Sequence, residues 1–191
     1  MALTTPDRYP CHMKSLLKLS KLIDSMNDGF GALASWLVLL ACTISAGNAM
    51  MRYGFDMSSN AWLEIQWYLF AGMVMLGAAT TLRRNEHVRV DVFYSRYGDR
   101  ARLWIDLLGT IFFLLPMTVL IGWLAWPMLV NSYAIGETSG DAGGLLRWPV
   151  KLMVPVGFLL LTLQGLSECI KRAAALTGHL KLDAAYERPL Q

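Results

Sequence analysis

The sequence predicts an all-α integral membrane protein: four transmembrane helices preceded by an N-terminal amphipathic helix lying in the membrane interface. Three observations predict it. The 191-residue chain is 55% hydrophobic and only 16% charged, against roughly a quarter charged in soluble domains. Four apolar runs of membrane length, near residues 30–51, 61–82, 103–126 and 150–170, interrupt the polar sequence. Lysine and arginine gather in alternate connections: four before the first run, six between the second and third, and four after the last. The remaining three, Arg52, Arg147 and Lys151, lie in the other connections or just inside the fourth run. The positive-inside rule then places both termini and the central loop in the cytoplasm, which closes only with an even number of spans.

Residues 1–29 form a cytoplasmic segment. On a helical wheel Leu16, Leu19, Ile23, Met26 and Phe30 share one face, opposite Lys14, Lys18, Lys21, Ser25 and Asp28. Such a helix suits the membrane interface, its lysines near anionic headgroups of membrane lipids, and it equally suits packing on a partner protein. In the first span Gly31, Ser35, Cys42, Ser45 and Ala49 recur at helical spacing, so neighbouring helices can approach closely. The polar segment ahead of this run is too long for a cleaved signal peptide, so an uncleaved span is expected.

The second span opens with Trp62, Trp67 and Tyr68, as an interfacial aromatic belt does. Ala61, Glu64, Tyr68, Ala71, Met75 and Ala78 fall on one stripe, which puts Glu64 on a face of small residues where a protein neighbour packs. An ionisable group at a membrane is a functional candidate. Glu64 lies only about one turn inside the run, so a structural or interface role is preferred over ion coupling.

In the arginine-rich central segment Val88, Val90 and Val92 alternate with His87, Arg89 and Asp91. Asp91 and Asp99 are candidate N-caps for the third span. A lone histidine among arginines reads as a surface residue, since metal sites need several convergent ligands. Pro116 is expected to bend the third span. Asp106 lies about one turn from its inner end, next to the basic loop, and calls for an arginine partner.

The connection before the fourth span contains E-T-S-G-D-A-G-G at residues 137–144, a glycine-rich stretch with no phosphate-binding pattern. Docking by a partner outside the membrane is the preferred reading of this loop. Pro149 suits the first turn of the fourth helix and Pro155 should kink it. Gln164 and Glu168, four residues apart, share a face near its inner end. Residues 30–172 thus make the membrane domain, and 173–191 a polar cytoplasmic tail.

No nucleophile–base pair, metal cluster or nucleotide loop is visible, and no nucleic-acid partner is expected, because the positive charge tracks the span ends. Cys11, Cys42 and Cys169 show no CxxC spacing and read as small apolar filler. All three histidines lie outside the spans, which speaks against a haem-holding redox subunit or enzyme. No cofactor is expected. A self-sufficient homo-oligomeric exporter or channel using Glu64 is the alternative, and it would need its carboxylate deep in a span.

The segments E-I-Q-W-Y-L-F (64–70), L-G-A-A-T-T-L-R-R-N-E-H-V-R-V-D (76–91), G-E-T-S-G-D-A-G-G-L-L-R-W-P-V-K (136–151), M-V-P-V-G-F (153–158) and L-Q-G-L-S-E (163–168) together resemble the small membrane subunit of TRAP transporters, the DctQ-like family. The likeness spans residues 20–177, and its late motifs look most like the branch associated with organic acids. The resemblance implies a non-enzymatic part of a three-part, ion-gradient-driven uptake system in the bacterial inner membrane. A periplasmic solute-binding protein captures the solute, and a large permease subunit carries the substrate and sodium sites. It further implies that Glu64, Gln66, Trp67, Arg83, Arg84, His87, Arg89, Asp91 and Asp106 hold structure or face the large subunit. Glu137, Ser139, Arg147 and Lys151 would lie where the binding protein docks.

Overall fold

A computed structural model describes residues 11–57, 59–86, 97–178 and 180. Four helices dominate it: α1 (Cys11–Phe55), α2 (Asn60–Arg84), α3 (Asp99–Ala134) and α4 (Trp148–Leu176). All four are long and apolar enough to cross a membrane, by length and composition. His87, Arg89 and Asp91, with the valine alternation around them, lie outside the described residues.

The amphipathic segment and the first span, expected as separate elements, are one continuous helix of 45 residues. At about 1.5 Å per residue it extends roughly 65 Å, about twice the hydrocarbon core. Its inward face also differs from the wheel reading. Ser20, Ile23 and Asn27 are buried, while Leu19 is 49% and Met26 38% exposed. The inward stripe is rotated from the oily one and not opposite to it: Ile23 is shared, Lys14, Lys18, Lys21, Ser25 and Asp28 stay exposed, and Ser20 and Asn27 turn in to meet partners on α4.

The third helix runs past both expected ends and contains a wide π-helical turn at Thr110–Leu114. Pro116 follows directly. Its ring lacks an N–H and crowds the carbonyl four residues back, and widening the preceding turn relieves that conflict. The expected distortion is therefore present, placed one turn before the proline. Asn85, in the left-handed conformation at φ 61°, ends α2: its N–H donates to the Leu82 carbonyl and that of Glu86 to the Thr81 carbonyl.

Helix α4 is the hub: it packs on α1, α2 and α3, whereas α3 packs chiefly on α4. A small apolar core of Ala34, Leu76, Ala79 and Leu160 fills the junction of α1, α2 and α4, with Phe30, Leu37 and Val156 around it. Glycines set the spacing. A Cβ on Gly157 would sit 2.7 Å from the Cβ of Met75 and 2.9 Å from its carbonyl oxygen. One on Gly31 would strike the Thr80 side chain. These close approaches bring whole helix surfaces into van der Waals contact, the main adhesive available where lipid is as apolar as protein.

Candidate functional site

Polar side chains concentrate at the two ends of the bundle. At one end, residues 136–147 double back as a short hairpin. Thr138 and Leu146 form an antiparallel bridge, Ser139 donates its N–H to the Leu145 carbonyl (2.9 Å), and Arg147 donates its N–H to the Glu137 carbonyl (2.8 Å). Gly136 and Gly143 occupy positive φ (59° and 75°), conformations that other residues adopt only with strain.

Glu64 holds this hairpin to the membrane domain. Its carboxylate, 4% exposed, accepts the backbone N–H of Leu145 at 2.7 Å. Gly144 makes that approach possible, because a Cβ there would lie 3.1 Å from Glu64 Oε1 and against the Ser139 side chain. The hydroxyl of Tyr68 donates to the Leu146 carbonyl (3.1 Å), and the Asn60 amide to the Ala142 carbonyl (3.3 Å). Three side chains of α2 thus grip the loop backbone.

The foot of the hairpin is ionic. Glu137 pairs with Lys151 and lies 3.8 Å from Arg147. The Lys151 ammonium, hydrogen-bonded to it, holds the Glu137 carboxyl below the usual carboxylate range, and Arg147 adds to the effect. The Tyr133 ring meets Trp148 edge-on, centroids 5.6 Å apart, across the base of the loop. Glu137, Ser139, Arg147 and Lys151 therefore belong to one assembly, joined by Glu64 from another helix.

At the opposite end α1 and α4 are stitched by buried polar groups. Asp24 accepts from Gln164 (2.9 Å), Ser167 (2.8 Å) and Lys171 (3.1 Å). Asn27 donates to Gln164 at 2.7 Å with both side chains fully buried, and the Ser20 and Ser167 hydroxyls meet at 2.7 Å. Glu168 pairs with Lys171 and sits 3.7 Å from Arg172. Arg172 also reaches Asp106 on α3 (3.7 Å) and Thr110 (3.4 Å) in the π-helical turn. Arg83 of α2 pairs with Asp28 and approaches Asp24 at 3.9 Å.

Of the other residues singled out from sequence, Asp106 does have an arginine partner, Arg172 of α4. Arg83 is built into the α1–α2 contact, and Arg84 is exposed. Trp67 is 68% exposed on the outer surface. Gln66 is half-buried, its amide nitrogen without a partner. Sequence reading missed Ser20, Asp24 and Asn27, although their spacing of four and three marks one helical face. Among the described residues no cluster of three or more His, Cys, Asp or Glu could hold a metal ion.

Comparison with known proteins bears on this arrangement. Residues 41–175 match the family model described as the DctQ component of tripartite ATP-independent periplasmic transporters. A relative from Haemophilus influenzae, provisionally named TRAP transporter small permease protein, is 27% identical over 136 residues, covering 70% of this chain and 79% of that protein. No solved structure matches. With four helices long and apolar enough to cross a membrane and residues 41–175 fitting the family model, the chain belongs to the DctQ family of TRAP transporter small subunits.

Proposed function

We propose that this chain braces the large permease subunit and helps dock the periplasmic solute-binding protein, in ion-gradient-driven import of a small organic acid. It carries no transport pathway of its own. The observation that carries this reading is the employment of Glu64. A coupling carboxylate must exchange its ion or proton with a pathway, whereas this one, 4% exposed, gives Oε2 to the Leu145 N–H and keeps Oε1 buried inside a packed contact. The apolar outer surface of the bundle, with Trp36, Trp67, Phe112, Phe113 and Trp123 all well exposed, supplies area for lipid and for the large subunit.

Orientation follows from charge. The ends of the chain and the arginine-rich connection lie in the cytoplasm of the inner membrane, and the 136–147 hairpin faces the periplasm. There Arg147, its side chain 48% exposed, is the cation a binding protein meets. The organic-acid assignment rests on the motifs at 136–168.

Copurification from native membranes tests the bracing role: a large multi-span partner is expected, and its absence refutes the reading. Arg147→Glu should lower uptake at limiting binding protein several-fold while the membrane complex stays intact. Unchanged uptake removes Arg147 from the docking surface. Vesicles holding this chain alone that accumulate a solute would overturn the whole proposal.

A further inference from the structure

An apolar groove of about 510 Å³ runs between α3 and α4, within the size range of small-ligand sites. The two helices pass antiparallel along it: Thr118 meets Thr162 at its floor, Gly122 faces Phe158, and Trp126 and Pro155 line its other end. Val119, Val156 and Leu159 form its walls, and no charged side chain lines it. Its two hydroxyls are already used, Thr118 donating to the Leu115 carbonyl (3.1 Å) and Thr162 to that of Phe158 (2.7 Å). What the groove offers along its length is hydrocarbon.

Depth and width decide what fits. Asp106 meets Arg172 at the end of the bundle away from the hairpin, and about twenty helical residues cross a hydrocarbon core, so Trp126 stands at the opposite interface. Thr118 then lies near the midplane, and the groove covers about 12 Å, close to the depth of one leaflet. Spread over that length its volume has a cross-section on the order of 40 Å². An α-helix with its side chains needs roughly 80–110 Å². A partner helix is too thick to enter, whereas an extended hydrocarbon chain is not. Polar donors appear only towards the interfacial end: Trp123 and Trp126 are well exposed, and neither indole N–H has a partner among the described residues.

We propose that this groove holds one acyl chain of a phospholipid from the leaflet on the hairpin side. The chain lies along Val119, Val156 and Leu159 with its tip near Thr118, and its ester carbonyl accepts from the Trp126 indole N–H. With no charge in the groove, the chain is selected and the headgroup is not, so phosphatidylethanolamine and phosphatidylglycerol of equal chain length bind alike. Because α3 packs chiefly on α4, the chain completes that one contact, filling space above the Thr118–Thr162 floor that the side chains leave empty. The assignment does not depend on the transport role.

Native mass spectrometry of the full chain, equilibrated with equal amounts of dipalmitoyl phosphatidylethanolamine and dipalmitoyl phosphatidylglycerol, tests it. One phospholipid, of either headgroup, should survive the activation that strips the others. Leu159→Trp, which fills the groove from its exposed wall, should remove the retained lipid while circular dichroism stays unchanged. Trp126→Phe, which keeps a ring and removes the N–H, should lower retention about two- to tenfold, the worth of one hydrogen bond. Retention equal to that of the unaltered chain in either variant, or retention of one headgroup alone, overturns the proposal. So does a photoreactive group at position 159 that crosslinks to protein instead of lipid in native membranes.

Discussion

Single side chains in this bundle act mostly on other parts of the same chain. Glu64→Gln keeps an acceptor for the Leu145 N–H but removes its charge, and charge-assisted hydrogen bonds are roughly twice as strong as neutral ones. Hydrogen exchange across 138–146 should accelerate in that variant, with helix content unchanged; protection equal to the parent would show that the clamp is not what orders the hairpin. The ion pair at Glu137 has a defined pH window. Its folded-state pKa lies below the ordinary value of 4.5, so its contribution is fully present above that value and is lost as pH falls through the lowered one. Fluorescence of Trp148, which closes the loop base, should stay flat from about pH 8 to 5 and change only in more acid solution. Lys151→Met should move that change towards neutral pH. At the end of the bundle away from the hairpin, Gln164→Leu strands the fully buried Asn27 amide, and a loss of about 1–3 kcal/mol is expected in detergent unfolding. Asn27→Leu combined with it should cost less than the two singly, because neither partner is then left unsatisfied.

For whole helices, spacing and the sense of polarity decide the outcome. Gly157→Leu places a side chain where the Met75 backbone lies, so α2 and α4 must part, at a cost of about 1–3 kcal/mol. Gly29→Leu, at a glycine with nothing within 4 Å of a Cβ, is the control that should leave the unfolding midpoint unlowered. The four spans were legible in the sequence, because a bilayer demands about twenty apolar residues per crossing and nothing else in a chain this size does. The inward face of residues 13–30 was not. A helical wheel reports which stripe is oily, but the partners on α4 decide which stripe turns in; here Ser20 and Asn27 went in beside Ile23 while Leu19 and Met26 stayed out. The partner of Asp106 was legible by type and not by source, since charge demands a cation near it but sequence distance does not say which helix delivers Arg172. The grip of Glu64 on a backbone N–H left no mark on residue type at Leu145, because every residue but proline offers that donor.

At the scale of the molecule, α4 joins everything: α1 through Ser167, Gln164 and Lys171, α2 through Gly157, and α3 through Arg172 at the π-helical turn. The family was readable from the run of motifs along the chain, whereas the contacts that fix the bundle connect positions as far apart as Ser20 and Ser167 and leave no local signature. The unbroken run of α1 carries a mechanical consequence. Fastened to α4 at Ser20, Asp24 and Asn27 and to the core at Ala34, it is held over about 21 Å, and beyond Leu37 it runs about 27 Å to Phe55. A beam clamped over such a length cannot rock on its own, so whatever grasps its first turns must swing α2 and α4 along with it.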